Sequence, residues 1–281
     1  MCDKNDFPIF MAITIVCATV SLAEPTSANV VGYYQVTCDK AYNLVPLNLL
    51  TIDGGEIDLQ DLINTENTVN LTANRVKASA DQIKVYNGAG YTDFWLHDGK
   101  GSGMSAFKGK WVYLEGTTTK LASESLFSTF QSGDCFFYIP VKSATPAVIT
   151  IPGQVPSTVT GKLVQGYNLI GSGMPFPLTL NGTVGSFGDM SNYWTAENGF
   201  TPNRVKANAD QIKVYNGFGY TDYWLHDGKG SGMSAFKGKW VYLEGTTTKA
   251  VTESIPLTSG FFFIKKAAGE IQFRPPMPYS L

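Results

Sequence analysis

The sequence has few of the residues that usually carry catalysis. Its 281 residues include two histidines, His97 and His226, and four cysteines. No nucleophile elbow or oxyanion motif accompanies either histidine, and an acid beside glycine, such as Asp98, is typical of a turn rather than of a glycosidase site. The cysteine spacing fits no zinc motif, and the acidic residues fit no EF-hand. We therefore predict no enzyme, no metal site and no cofactor, with a calcium ion held by Asp93 and Asp98 as the alternative.

Long hydrophobic runs are also scarce. The longest, at residues 7–22, has 16 residues, and a membrane span needs about 20. No later run approaches that length, which predicts no transmembrane segment in the mature chain. Pairs of small residues that suit signal peptidase follow, at Ser21 and Ala23 and at Thr26 and Ala28. The sequence predicts an export signal at 1–28, cleaved after residue 23 or 28, with a membrane anchor or a lipoprotein modified at Cys17 as alternatives.

One block of the sequence occurs twice. Residues 74–120 reappear as residues 203–249, and only three of the 47 positions differ. Weaker likeness extends beyond the block, since Tyr42-Asn43-Leu44 is answered by Tyr167-Asn168-Leu169 and Phe136-Phe137 by Phe261-Phe262. Internal duplication of this kind indicates two copies of one structural unit. We predict module 1 at 29–152 and module 2 at 153–281, joined by a short proline-containing connection.

Strand signals dominate both modules. Residues 82–86 alternate between apolar and polar side chains, Asn87-Gly88 favours a hairpin turn, and residues 91–96 and 110–114 continue the pattern. The 29 glycines and 13% aromatic residues are typical of β-structure with many tight turns. A short helix is predicted at 59–63. The sequence therefore predicts a mainly all-β fold of two tandem β-sandwich or small-barrel modules with at most short helices.

Two cysteines, Cys38 and Cys135, remain after the predicted export signal. Their module 2 counterparts are missing together, because Leu163 and the Gly260 region stand in those places. A bonded pair is lost together more readily than two unrelated thiols, and an exported protein meets oxidising conditions. We predict a disulfide between Cys38 and Cys135, with two buried free thiols as the alternative.

Charge and aromatic residues are concentrated in the repeated block. Each copy holds seven bases and four acids, whereas the whole chain carries a net charge of −2. A basic zone attracts an anionic partner, and exposed aromatic rings stack on sugars or pack at protein contacts. An ordinary solvated face and core packing are the alternatives. The candidate ligand-binding residues lie around a glycine-rich loop: Trp95, His97, Asp98, Lys100, Trp111, and their copies Trp224, His226, Asp227, Lys229, Trp240.

Short packing and turn motifs recur along the predicted mature chain: Val30-Val31-Gly32-Tyr33, Tyr42-Asn43-Leu44, Ala80-Asp81-Gln82-Ile83-Lys84-Val85, Trp111-Val112, Phe136-Phe137-Tyr138, and Ile151-Pro152-Gly153-Gln154-Val155. In these motifs the chain resembles a group of uncharacterised secreted repeat proteins from bacteria of the Planctomycetes–Verrucomicrobia–Lentisphaerae group. The resemblance implies export and an extracellular or cell-surface setting, and it transfers no activity and no site residues.

These observations predict a non-catalytic, exported structural or binding protein of the cell surface or the extracellular space. The alternative is a carbohydrate-binding protein that recognises an acidic polysaccharide. The expected partners are an acidic polysaccharide, another cell-envelope polymer or a second copy of the chain, and two equal modules would add avidity. Nucleic acid is not expected, because no recognition motif accompanies the basic residues.

Overall fold

The computed structural model describes residues 31–51, 54–141, 145–156, 161–182 and 188–273. The predicted export signal at 1–28 lies outside these residues. The described chain is mainly β, with several antiparallel sheets and one short α-helix, so the predicted all-β fold is confirmed. Among the helices of this part of the chain, none is long and apolar enough to cross a membrane.

Module 1 is a sandwich of two antiparallel sheets. Its strands are β1 (Val31–Cys38), β2 (Asn43–Pro46), β3 (Ile57–Asp58), β4 (Thr68–Val69), β5 (Gln82–Tyr86), β6 (Tyr91–His97), β7 (Lys110–Glu115), β8 (Thr118–Leu121), β9 (Thr129–Phe130), β10 (Cys135–Ile139) and β11 (Ala147–Gln154). The larger sheet has the order β2-β10-β5-β6-β7-β8, and the second has the order β1-β11-β4. β3 pairs with β9 beside them.

The alternation read from the sequence explains how the two sheets of module 1 face each other. Ile83 of β5 and Phe94 of β6 point inward and meet Ile149 of β11 in one buried cluster. The helix α1 (Leu59–Leu62) closes one side of this core, and the Asp58 carboxylate caps it by accepting a hydrogen bond of 2.8 Å from the Gln60 amide. Burying one face of each strand favours the sandwich, because the inward positions are mostly apolar, with Asn43 and Thr68 as buried polar exceptions.

Module 2 repeats the larger sheet. Its strands are β12 (Gly161–Leu163), β13 (Gly166–Ile170), β14 (Leu178–Thr179), β15 (Gln211–Tyr215), β16 (Tyr220–Leu225), β17 (Trp240–Glu244), β18 (Thr247–Ala250), β19 (Ser254–Ile255), β20 (Phe261–Lys265) and β21 (Ile271–Phe273). The order β13-β20-β15-β16-β17-β18 matches the module 1 order. Within the described residues the second layer is shorter, a pair of β12 and β21, and β14 pairs with β19 beside it. Trp194 fills the core against Phe261 and Phe263.

The end of module 1 differs slightly from the predicted boundary. β11 continues through Pro152 to Gln154 and stays paired with β1 along its whole length, ending with Gln154 opposite Val31. The last two residues of this strand therefore belong with module 1. Six residues, 155–160, then separate β11 from β12.

The two modules meet face to face through equivalent residues. Leu44 and Phe137 of module 1 pack with Leu169 and Phe262 of module 2 in one buried cluster. Backbone atoms join the modules as well, since the Gly171 amide donates a hydrogen bond of 2.8 Å to the Gly133 carbonyl. We call this contact the joint.

The predicted disulfide is not formed. Cys38 and Cys135 are both buried free thiols. Cys38 lies in the core between the sheets of module 1, whereas Cys135 lies in the joint cluster with Phe137 and Phe262. Successive side chains of a strand point to opposite faces, and Cys135 falls on the face of the larger sheet that is turned away from the core. The prediction was wrong because the joint absence of the two cysteines from module 2 does not bring them together: they lie on opposite sides of that sheet.

Candidate functional site

The tryptophans predicted to offer an exposed apolar face are buried. Trp111 is 1% exposed and its indole nitrogen donates a hydrogen bond of 2.8 Å to the Ile63 carbonyl in the core. Trp95 is 5% exposed on the opposite face of the same sheet, where it packs with Val112 and Phe107. The copies Trp224 and Trp240 are equally buried. These four residues stabilise the sheets and expose at most 5% of their surface.

The two histidines hold a loop rather than a ligand. His97 is buried, its ring packs edge-to-face on Phe107, and its Nδ1 accepts a hydrogen bond of 2.8 Å from the Gly99 amide. His226 makes the same contacts with Phe236 and Gly228. Burial lowers the pKa of His226 despite the nearby Asp227, so the ring is neutral and suited to accepting that hydrogen bond.

We call residues 98–103, with their copy at 227–232, the glycine loop. The aspartate that begins each copy forms a hydrogen bond within the loop itself. Asp98 accepts a hydrogen bond of 2.9 Å from the Lys100 amide, and Asp227 accepts the same bond from Lys229. The side chains of the two lysines are 79% and 80% exposed. Of the predicted candidates, the lysines alone are exposed. Each lies within 4.0 Å of its own loop aspartate, and the structure does not bring either lysine together with a tryptophan face.

A calcium ion at Asp93 and Asp98 has no support from the geometry. Asp93 is bound by two lysines, Lys77 and Lys84, the second at 2.8 Å. Within the described ranges, no group of three or more metal-ligating side chains occurs.

Several exposed rings cluster at the joint, where tyrosines from both modules surround Phe137. Tyr42 and Tyr91 are each 44% exposed, Tyr220 is 42% exposed, and these faces border a cleft of about 340 Å³. The rings of Tyr42 and Tyr91 meet Phe137 edge-on, with centroids 6.3 and 5.8 Å away. Tyr215 completes the wall from module 2. We call this space the joint cleft.

Two equivalent residues, Tyr91 and Tyr220, line the joint cleft from opposite modules. Each begins the second strand of its hairpin, β6 or β16, and is paired across the ladder with the tyrosine that ends the first strand. The loops of these hairpins are held by Asn87 and Asn216, whose side chains accept hydrogen bonds from the amide three residues later, at 2.7 and 2.9 Å. These hydrogen bonds fix the two hairpin loops and therefore the positions of the Tyr91 and Tyr220 rings.

One lysine, Lys84, brings positive charge to the joint cleft. Lys84 and Lys77 share the single carboxylate of Asp93, which leaves the trio with one excess positive charge. Burial would raise the pKa of Asp93, but the hydrogen bonds from both lysines outweigh it and hold that pKa below its usual range. The Asp93 carboxyl group is thus ionised at neutral pH. Lys206, Lys213 and Asp222 repeat the trio in module 2, but Lys213 does not line the cleft.

The tyrosine hydroxyls of the joint cleft differ in whether they have a hydrogen-bond partner within the described chain. Tyr215 donates a hydrogen bond of 2.8 Å to the Gly217 carbonyl. The hydroxyls of Tyr42, Tyr91 and Tyr220 have no hydrogen-bond partner within the described chain. Burial, and then the neighbouring Tyr220 and Tyr86, raise the pKa of Tyr91 to about 12. The Tyr91 hydroxyl is therefore a neutral group that can both donate and accept.

A larger cleft of about 640 Å³ lies on module 1 alone. Seven residues connect β8 to β9, against three between β18 and β19, and the longer connection carries Leu126, which is 93% exposed. Three acids, Asp93, Glu115 and Glu124, line this cleft, and the two glutamates both pair with Lys120. It has fewer exposed rings than the joint cleft, so the joint cleft is the better candidate for stacking on a ligand.

The sequence held one signal for the joint cleft that was not used. Tyr42 lies outside the near-identical block, yet both modules keep the Tyr-Asn-Leu sequence at this place. The predicted site followed the block and its tryptophans instead.

None of the protein-family models matches the chain, and no match to it was found among the curated proteins or the solved structures.

Proposed function

We propose that this is a non-catalytic carbohydrate-binding protein of the extracellular space or cell surface that holds an acidic polysaccharide in the joint cleft. The observation that carries the proposal is the set of exposed tyrosine rings beside Lys84. Sugar rings present apolar C–H faces between their hydroxyl groups, so they stack on aromatic rings while the hydroxyls bond to polar neighbours. Tyr42, Tyr91 and Tyr220 offer both features.

The preference for an acidic polymer rests on charge. Lys84 has an ammonium group at the wall of the cleft, and Lys77 beside it helps to neutralise Asp93. A carboxylate on the sugar would form a charge-assisted hydrogen bond with Lys84, which is stronger than a neutral one. The excess of bases in each repeated block attracts the same polymer over a longer range.

Duplication supplies matched controls for the test. We expect Tyr42→Ala to weaken binding to polygalacturonate on the order of tenfold, the loss that corresponds to about 1.4 kcal/mol of stacking. Tyr167→Ala changes the equivalent exposed ring outside the cleft and should leave binding unchanged. Lys84→Gln should weaken binding to polygalacturonate, whereas Lys213→Gln should not. Isothermal titration calorimetry at fixed ionic strength measures all four variants.

Three ligands separate the outcomes. Polygalacturonate is the acidic polymer, dextran is a neutral control, and single-stranded DNA tests whether the rings prefer bases. Binding of polygalacturonate that is equally weakened by Tyr42→Ala and Tyr167→Ala would contradict the cleft as the site. Tighter binding of DNA would contradict the carbohydrate proposal as a whole.

Export belongs to the same proposal and has its own test. The run at 7–22 and the small residues after it support a cleaved signal. We expect the exported protein to begin at Glu24 or Asn29, and N-terminal sequencing of secreted material checks this. A secreted chain that still begins at Met1 would contradict cleavage.

A structural role through self-association is the second candidate. The observation in its favour is that β8 and β18 each end a six-stranded sheet and pair on one side only within the described chain. An open edge is a template for pairing with another chain. Proline at Thr119 and Thr248 would remove a backbone donor from each edge, so ordered assemblies seen by electron microscopy should disappear in that double variant.

A further inference from the structure

We propose that the joint is a pairing interface that accepts module 2 of a second copy in place of the chain's own module 2, and that three glycines restrict pairing to unlike modules. The proposal is independent of the ligand. If it holds, a reciprocal dimer forms in which each joint cleft draws residues from two chains.

The joint brings equivalent positions of the two modules against each other. Outside the near-identical block, module 1 positions correspond to module 2 positions 125 residues later, as Tyr42 corresponds to Tyr167. Phe137 and Phe262 are such a pair, and their ring centroids lie 6.2 Å apart. Contact between equivalent residues is the mark of an isologous interface, which two identical surfaces can also form.

Three equivalent pairs at the joint are not identical, and in each the module 2 residue is a glycine. Gly260 is the counterpart of Cys135, and a Cβ atom on Gly260 would overlap the Cys135 sulfur. Gly171 is the counterpart of Pro46, and its Cβ would lie 2.7 Å from the proline Cβ. In each pair module 1 carries the side chain and module 2 carries the glycine that makes room for it.

The third pair adds hydrogen bonds. Gly173 is the counterpart of Asn48, and its amide donates a bond of 2.8 Å to the Asn48 Oδ1. The Asn48 amide group in turn donates to the Leu257 carbonyl. Asn48 itself is fully buried, so both ends of its side chain are satisfied only when module 2 faces it.

These pairs decide which modules can associate. Two copies of module 1 would place Pro46, Asn48 and Cys135 against themselves and overfill the joint. Two copies of module 2 would place glycine against glycine and lose both bonds of the Asn48 amide. Clashes and lost bonds in the wrong complexes are a general source of specificity. The joint therefore fits one partner, the unlike module.

Nothing in these contacts requires both modules to belong to one chain. The only covalent tie is the connection at 155–160, which is six residues long. A short tie gives the chain's own module an effective concentration of about millimolar, so a second copy competes when the protein is concentrated. Short connections also favour exchange of equivalent units between chains.

The experiment uses the full chain with Gly260→Cys. The added Cβ would lie 3.2 Å from the Cys135 Cβ, just under the span of a disulfide, so a rotation of the Cys135 sulfur both relieves the overlap and lets the two thiols bond. Cys2 and Cys17 are changed to serine to limit other bonds. The protein is unfolded, refolded over a range of concentrations and oxidised. We expect a disulfide between positions 135 and 260 throughout, within one chain at low protein concentration and increasingly between two chains as the concentration rises. Non-reducing electrophoresis and peptide mass spectrometry identify the bonds, and mixed isotope-labelled chains identify those between copies.

One further variant and the wild-type protein keep the result interpretable. Cys135→Ala with Gly260→Cys removes the partner thiol and should abolish the bond, which makes it the matched control. Wild-type protein refolded at high concentration and measured by light scattering shows the dimer without any added cysteine, so a Gly260→Cys chain that fails to fold does not leave the proposal unanswered.

Exchange would be overturned by bonds within one chain only, together with a monomeric wild-type protein, at every concentration. The pairing rule would be overturned by dimers that contain 135–135 or 260–260 bonds. Neither result would touch the proposed carbohydrate site, because a monomer with an intact joint still holds the joint cleft.

Discussion

At the scale of single residues, burial decides which of the predicted groups can react. Charge, aromaticity and cysteine identity are visible in the sequence, but the face on which a side chain lies depends on what covers the sheet. Trp95 illustrates this limit, since alternation places it on the face of β6 away from the core, where a surface position would be expected. The 3₁₀ turn Ser105–Phe107 covers that face, and no local pattern predicts such a cover.

The two thiols give the first prediction, at this same scale. Burial raises the pKa of Cys38 to about 12 and the pKa of Cys135 well above its ordinary value. Since the thiolate is the reactive form, a chain carrying Cys2→Ser and Cys17→Ser should not react with Ellman's reagent at pH 8 while folded. Both thiols should react once guanidinium unfolds it. A disulfide linking Cys38 to Cys135 in air-oxidised protein would contradict this prediction.

At the scale of elements, local chemistry predicted more than distant contacts did. The strand at Gln82–Tyr86 and the helix at Leu59–Leu62 follow the predicted ranges closely, because alternation and capping act within a few residues. The predicted hairpin turn at Asn87-Gly88 is part of a four-residue loop between Tyr86 and Tyr91. The joint cleft was missed because it needs the two modules to be docked, which no single element specifies.

Alanine substitutions in the glycine loop can distinguish the steric overlap of an added Cβ from the backbone strain of a positive φ. Gly99 and Gly103 both have a φ of 75°. A Cβ on Gly99 would lie 2.6 Å from the Cβ of Lys108, whereas a Cβ on Gly103 would meet nothing within 4 Å. Both alanine variants should lose about 1 kcal/mol of unfolding free energy to the backbone penalty. Because of the overlap with Lys108, Gly99→Ala should lose about 1–3 kcal/mol more than Gly103→Ala.

Urea unfolding of the two variants measures this difference. Gly228→Ala, at the equivalent place in module 2, should behave like Gly99→Ala, because the same overlap exists with Lys237. Equal losses for Gly99→Ala and Gly103→Ala would show that the contact with Lys108 adjusts without cost.

At the scale of the whole molecule, the joint contains a carboxyl group with an unusual affinity for its proton. Asp134 pairs with Ile170 of module 2 in an isolated bridge, and its carboxylate accepts a hydrogen bond of 2.8 Å from the Gln131 amide. Burial raises the pKa of Asp134 to about 6, that hydrogen bond opposes the rise, and the nearby Glu56 adds to it. The ionised form is therefore the less favourable one in the folded protein.

The stability of the protein should depend on pH through this group. A pKa raised by folding means that the protonated carboxyl stabilises the fold, fully below about pH 4, and that this contribution is lost as the pH rises through about 6. We expect a loss of about 1–3 kcal/mol from this group. Asp134→Asn should remove that part of the pH dependence, while Glu66→Gln, at an exposed site, should keep it. Urea unfolding at pH 4, 5, 6 and 7 makes the comparison.

The order of the two modules along the chain has a consequence for synthesis. Every strand of module 1 lies before residue 155, so its sheets can form while module 2 is still being made. Until β20 is complete at Lys265, Leu44 and Phe137 have no partner from module 2. A chain cut short after module 1 would keep this apolar face in water. Truncation after module 1 would thus produce a fragment that aggregates through this face. In the full chain module 2, which carries the three glycines of the joint, covers it.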